Sequence, residues 1–214
     1  MSGFVHLHLH SGYSLLDGAC RINEIAEAAA REGHCAVALT DHGAMYGAVE
    51  FYRACKAAEV KPIIGCEVYV APKSRFDRDP AAKYNHLVLL VENEIGYRNL
   101  CRMVSLSFTE GFYSKPRVDY ELLTEYSEGL IALSGCLGGI VPSMILASDF
   151  DGALREAERL RDIFGKDSFY LELQDHGMPE QKKVNRALLE ISGRSGIPLV
   201  ATNDVHYIRR SDAG

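Results

Sequence analysis

Short apolar runs recur along this chain, and stretches with helical periodicity separate most of them. The runs occupy residues 4–9, 36–40, 62–70, 86–91, 130–134, 168–173 and 198–202. Each is rich in Val, Ile, Leu or Phe, as strands are when both faces of a parallel sheet are covered. Between them, residues 22–32 place Ile22, Ile25, Ala26 and Ala29 on one helical face. Residues 44–58 follow Gly43, residues 149–165 repeat Leu, Ile and Phe at helical spacing, and residues 179–195 open on a proline suited to a first turn. Strands alternating with helices fold as an α/β barrel or as a doubly wound sheet. Two stretches depart from the rule. Residues 71–80 form a polar loop without period, and residues 97–128 read as helical or irregular, broken at Lys115-Pro116-Arg117. With no repeat, low-complexity tract or linker, residues 1–214 are expected to be a single domain.

Composition excludes several classes. At 47% hydrophobic and 24% charged residues the chain matches ordinary globular proteins, not disordered or collagen-like ones. No apolar run is long enough to span a bilayer, and Met1-Ser2-Gly3-Phe4-Val5-His6 lacks the basic and apolar regions of a signal peptide. A soluble, cytoplasmic protein with no membrane partner is the expectation. Six cysteines lie singly, without a CxxC pair, and read as reduced thiols. The net charge of −6 argues against a simple electrostatic nucleic-acid binder, though less so if several acids hold cations.

The informative residues gather where the apolar runs end. The first ends His6-Leu7-His8-Leu9-His10, with Asp17 soon after; the second ends Thr40-Asp41-His42-Gly43. Glu67 sits inside the apolar Ile63-Ile64-Gly65-Cys66-Glu67-Val68. Later runs end Ser134-Gly135-Cys136, Gln174-Asp175-His176 and Asn203-Asp204-Val205-His206. Barrels and open α/β sheets build their sites at the carboxyl ends of strands. His, Asp, Glu and Cys converging there suit zinc-like ions, and carboxylates can bridge two cations. Alternation on a strand allows all three imidazoles of His6, His8 and His10 to share one face. A carboxylate among Ile and Val is costly to bury unless paired or bound to a metal.

Individual members stay open at this level. His34, after Gly33, reads as a helix-end residue. His6 reads as a residue orienting a ligand, and His176 as ligand, substrate contact or loop residue. Cys136 is a ligand or one more buried thiol. His86 begins its run instead of ending it, so it reaches the cluster only if the chain reverses after Val70.

The phrases His8-Leu9-His10-Ser11, Tyr13-Ser14-Leu15-Leu16-Asp17-Gly18, Thr40-Asp41-His42-Gly43, Lys61-Pro62-Ile63-Ile64-Gly65-Cys66-Glu67, Ala132-Leu133-Ser134-Gly135-Cys136-Leu137 and Ala201-Thr202-Asn203-Asp204-Val205-His206-Tyr207 resemble the PHP (polymerase and histidinol phosphatase) superfamily. Ser74-Arg75-Phe76-Asp77 and Pro179-Glu180-Gln181-Lys182-Lys183-Val184-Asn185 narrow the resemblance to the N-terminal PHP domains of bacterial replicative DNA polymerase III alpha subunits, over essentially the whole chain.

The resemblance implies a distorted seven-stranded β/α (TIM-like) barrel holding up to three divalent ions, zinc or manganese. His8, His10, Glu67 and Asp204 would hold one; Glu67 would bridge to a second shared with His86 and Cys136; Asp17, His42 and His206 would hold the third. All nine positions carry a competent ligand type. The implied activity is metal-assisted phosphodiester hydrolysis, as a 3′–5′ proofreading exonuclease on a single-stranded or frayed DNA 3′ end during replication. Its implied partners are DNA, the rest of the polymerase and other replisome subunits. Alpha subunits continue far beyond Gly214, so the chain is expected to be an N-terminal domain fragment without polymerase activity. Two other functions compete: a catalytically inert module stabilising the polymerase, and a freestanding histidinol-phosphatase-like phosphoesterase. Lys73, Arg75, Arg78 and Lys83 on the 71–80 loop and just beyond are either contacts to the DNA backbone or a solvated charged surface.

Overall fold

The computed structural model of the chain describes residues 3–212. Helix α1 (Ile22–Arg31) leads to β1 (Ala36–Leu39), and α2 (Ala48–Ala57) to β2 (Lys61–Val70), which turns back as β3 (Asn85–Val91). Helix α3 (Glu94–Thr109), the short β4 (Arg117–Val118) and α4 (Tyr120–Glu125) precede β5 (Leu130–Leu133). Then come α5 (Ile140–Leu146), α6 (Phe150–Phe164), β6 (Phe169–Leu173), α7 (Pro179–Ser195) and β7 (Leu199–Ala201). Local chemistry sets several boundaries. Asn93 accepts from the N–H groups of Ile95 and Gly96, Asp119 from Leu122 and Asp149 from Gly152, so α3, α4 and α6 each start on a side-chain cap. Helix α5 was not expected. Its Pro142 sits in the first turn, where the missing N–H costs nothing.

The strands form one sheet in the order β1-β2-β3-β5-β6-β7, with β4 paired to β2. Neighbours are parallel except at β3, which is antiparallel to both β2 and β5. That reversal is the one His86 requires: Tyr69 pairs with His86 and Glu67 with Val88.

The run at 4–9 does not form a strand. The chain bends at His8, and its backbone bonds go to two sides. His6 and Leu9 carbonyls accept from Ala38 and Thr40, while Val205 donates to His8 and accepts from His10. The segment thus joins β1 to the residues after β7 and curls the sheet into a distorted barrel, which excludes the doubly wound alternative. A two-residue strand, β4, stands as the seventh.

Alternation along the strands then sorts chemistry by height. Leu7, Ala38, Ile63, Val88, Leu90, Ile131, Leu133, Tyr170 and Val200 meet in one cluster drawn from that segment and six strands, as a barrel interior requires. Two residues further on the same faces lie Thr40, Glu172 and Thr202, and beyond them His42, Gln174 and Asp204. Larger apolar clusters lie outside the barrel. One sits under α1 and α2 around Ile25, Leu39 and Phe51, the other under α3, α5, α6 and α7 around Leu100, Leu160 and Leu188.

The 71–80 loop corrects an expectation. Arg75 is buried and turned inward: its guanidinium bonds Asp119 at 3.0 Å, Glu110 at 2.7 Å and Glu121 at 3.0 Å. Arg78 donates to the carbonyls of Arg75, Asp77 and Glu110. Both cations hold the loop to the body of the protein; Arg75 is not free to meet a DNA backbone, whereas Arg78 stays exposed.

Candidate metal centre

At the carboxyl end of the barrel the side chains from seven separate segments converge. His8 Nε2 lies 3.3 Å from Glu67 Oε1 and 3.2 Å from Asp204 Oδ1, and His10 Nε2 lies 3.2 Å from the same Asp204 oxygen. Glu67 Oε2 is 2.6 Å from His42 Nδ1, and Oε1 is 3.0 Å from His86 Nδ1. Cys136 Sγ stands 3.9 Å from Glu67 Oε1 and 3.8 Å from His86 Nδ1. Asp17 Oδ2 is 3.3 Å from His42 Nε2 and 3.9 Å from His206 Nε2. All nine expected residues are therefore together, and Glu67 lies between the others.

The local backbone explains part of this convergence. Gly43 adopts φ +62°, and a Cβ there would lie 2.9 Å from Tyr69 and from Pro116, so the turn after His42 takes glycine alone. Asp204 itself has φ 47°, a left-handed conformation unusual for a non-glycine residue. Such strain persists only where the surroundings enforce it, and here Val205 is pinned to His8 and His10 on both its backbone groups.

The residues fit a metal on one observation above others. His8 Nε2, His10 Nε2, His42 Nδ1, Glu67 Oε2 and Asp204 Oδ1 are buried and, although they crowd one another, none is aligned for a hydrogen bond. Buried polar atoms are nearly always satisfied, so five orphans facing one another mark a place for something else. Among the described residues, three groups each bring ligand atoms within 4.8 Å of one another: His8, His10 and Asp204; His42, Glu67 and His86; and His10, His42 and His206. Imidazole, carboxylate and thiol together suit divalent transition ions.

Electrostatics point the same way. Burial opposes charge on His8, yet Glu172, Asp204 and Glu67 hold its imidazolium well above the usual histidine range. Burial likewise opposes charge on Glu67, but His8, His42 and His86 keep it ionised far below the ordinary carboxylate range. Asp204 is desolvated too, and His8, with His10 Nε2 3.2 Å away, brings it down to about 2. Burial and the Glu67 charge push the Cys136 thiol up to about 12. With side chains alone, protons on imidazoles balance the carboxylates, and a cation can take their place.

Outside the cluster, His6 faces the other way. It lies among Leu9, Ile25, Val37 and Val205, with its ring against Phe4 and His34, because the bend at His8 breaks the alternation. His34 does not cap its helix by its side chain; Nδ1 bonds the Phe4 carbonyl at 2.8 Å. His176 is an exposed loop brace, bonded to Asn203 O and to Gln181.

Sequence reasoning missed the residues behind the ligands. Glu172 Oε1 meets His8 Nδ1 at 2.7 Å, Thr202 and Gln174 donate to that same oxygen, and Gly135 N–H donates to the other. A carboxylate on the far nitrogen of a ligating histidine fixes its tautomer and orientation. Asp41 accepts from Ser11 N–H and from the hydroxyls of Ser11 and Ser14, which ties down the loop carrying Asp17. Glu172 carried a signal that went unread, being a carboxylate inside an apolar run like Glu67.

A family model described as the PHP domain matches residues 6–176. The chain belongs to the PHP domain family. Asp204 and His206 lie past the matched segment but within the part shared with curated relatives. This PHP domain is 51% identical over 98% of its length to "DNA polymerase III subunit alpha" of Treponema pallidum, and 49% identical over 98% to that of Thermus aquaticus. It spans only 18% of either relative. Among solved structures, an amidohydrolase from Chromobacterium violaceum with bound sulfate and no metal superposes with a TM-score of 0.59 at 15% identity, covering 94% of this chain and 87% of the other. A protein from Bifidobacterium adolescentis assigned as a metal-dependent phosphoesterase gives 0.56 at 15% identity, covering 95% and 87%. At that identity they establish the shared fold. No helix among the described residues is long and apolar enough to cross a membrane.

Proposed function

We propose that residues 1–214 form one PHP domain of a DNA polymerase III alpha subunit, and that it hydrolyses DNA phosphodiester bonds from the 3′ end. The carrying observation is the convergence of five buried, unbonded ligand atoms at the barrel mouth. The identity to alpha subunits supports the replicative setting: DNA, the rest of the polymerase and replisome subunits as partners, in the cytoplasm.

His8, His10, Glu67 and Asp204 would hold one divalent ion, zinc or manganese. Glu67, His86 and Cys136 would hold a second, and Asp17, His42 and His206 a third. Bound there, such ions polarise a phosphoryl oxygen, acidify water and offset charge on the leaving oxygen. The chain's own part is positioning. Glu172 keeps Nδ1 of His8 occupied, so Nε2 faces the centre. Ser14 reaches both His10 Nδ1 and the His42 N–H, which couples two ligands from different segments. Asp17, its side chain half exposed at the mouth, is the most accessible of the candidate ligands.

The test is release of nucleotide from 3′-labelled and 5′-labelled oligonucleotides by protein loaded with zinc or manganese, beside His8→Ala. Wild type should shorten the strand from its 3′ end, incorporate no nucleotide, and lose this activity on substitution. Equal background release by both proteins, with simple phosphate esters also untouched, would assign the centre to holding the fold instead.

A further inference from the structure

The centre opens into a cleft of about 400 Å³ whose floor includes Asp17, His42 and His86. Aromatic rings wall it. Tyr69 and Tyr84 meet edge to face at 4.9 Å, and Tyr84 lies parallel to the His86 ring at an interplanar angle of 3°. At the lip, Tyr46 and Phe108 are 64% and 37% exposed with centroids 6.3 Å apart. Phe112, 52% exposed, continues the row 6.3 Å beyond Phe108. Among the described residues, Lys115 is the one lysine or arginine lining the cleft, its Nζ 5.2 Å above the Tyr69 ring.

Rings exposed in a row beside a polar centre are an unusual use of apolar surface in a protein with ample buried core. The usual means of holding a nucleic-acid backbone is also scarce here. Net charge is −6, Arg75 is turned inward, and the exposed Arg78 is engaged by the Arg75, Asp77 and Glu110 carbonyls. Base stacking on aromatic side chains needs no basic groove, and it tolerates any sequence because every base has a π-face.

We propose that Tyr46 and Phe108, continued by Phe112, form a stacking platform for the unpaired bases of a DNA strand whose backbone passes Lys115 toward the centre. The proposal rests on the phosphodiester reading of that centre and adds what selects the substrate. A duplex hides its base faces, so the platform takes single-stranded or frayed ends.

The experiment measures binding by the full 214-residue chain, in the cold and in chelator so that nothing is cut. The probes are a short oligothymidylate, an abasic strand of equal length and a duplex. Wild type should bind oligothymidylate at least roughly tenfold tighter than either of the other two. The double variant Tyr46→Ala, Phe108→Ala should lose roughly tenfold or more on oligothymidylate and nothing on the abasic strand. Tyr46→Phe should keep the wild-type affinity, as should Tyr52→Ala, which removes an exposed ring outside the cleft. Both truncations are at exposed positions, so the fold should persist. Equal affinity for base-bearing and abasic strands overturns the proposal, as does a double variant that binds like wild type. No binding of any strand also overturns it and leaves the row to a protein partner. Hydrolysis of bis(p-nitrophenyl) phosphate by metal-loaded wild type, a diester without a base, reports separately on the centre, so the two readings fail distinguishably.

Discussion

A carboxylate as buried as Glu67, 1% exposed, costs several kcal/mol unless opposite charge faces it. Imidazoles of His8, His42 and His86 surround it, two on one oxygen and one on the other. If that carboxylate bridges two ions, Glu67→Ala should lose two equivalents of bound metal together, whereas Cys136→Ala should lose one. Elemental analysis after gel filtration reads the difference, and loss of a single equivalent from Glu67→Ala would break the bridging assignment. His8 gives a pH dependence with a definite sign. Its pKa lies above the usual histidine value because Glu172, Asp204 and Glu67 hold the proton there against burial. An ion at His8 Nε2 must displace that proton, so affinity rises with pH until the raised pKa is passed. Below it, affinity should fall by about tenfold per unit of pH, since one proton competes for the site. Metal competition at pH 6 and pH 8, with the released proton counted, checks both the slope and its direction.

At the scale of elements, two segments without regular structure decide the architecture. The 4–9 segment closes the barrel by single bridges to Val37 and Val205, which is enough to set His8 and His10 between β1 and the chain after β7. The 71–80 loop connects β2 to the antiparallel β3 and is fastened by Arg75 to Asp119, the residue that also caps α4. Breaking a buried pair leaves an uncompensated charge, so Arg75→Ala should cost on the order of 3 kcal/mol in urea unfolding. Metal content of the folded variant should be unchanged, because Arg75 touches no ligand. A fall in DNA binding at unchanged stability would instead give Arg75 the role first considered for it, a contact to the backbone.

For the whole molecule, candidate ligands drawn from both ends of the chain would make metal binding and folding one equilibrium. His8 and Asp204 are brought together by the closed barrel and are far apart in the unfolded chain. An ion bound at a hundred times its Kd adds about 2.7 kcal/mol by mass action. For a chain of this size that is a shift of roughly 5–10 °C in Tm, which a chelator should remove. An unchanged melting curve with and without chelator would show that no ion contributes to the fold. Charge fits this balance: three divalent ions would offset the net −6 of the sequence.

Six of the seven apolar runs, the longer amphipathic helices and most of the candidate ligands were legible from the sequence, because period, burial and donor chemistry are local properties. His8, His10, His42, Asp204 and His206 stood out where apolar runs end, Asp17 soon after one and Glu67 inside one, while His86 and Cys136 were drawn in by the family resemblance; all nine meet in space. Three matters were not local. His86 joins the cluster only through the register that pairs it with Tyr69 opposite the Glu67 strand. His6 leaves the face of His8 and His10 because closure of the barrel bends the chain at His8, and no alternation rule encodes that bend. Glu172, Asp41 and the inward turn of Arg75 depend on partners distant in the sequence, so their roles follow from which groups the tertiary structure leaves for each buried charge to meet.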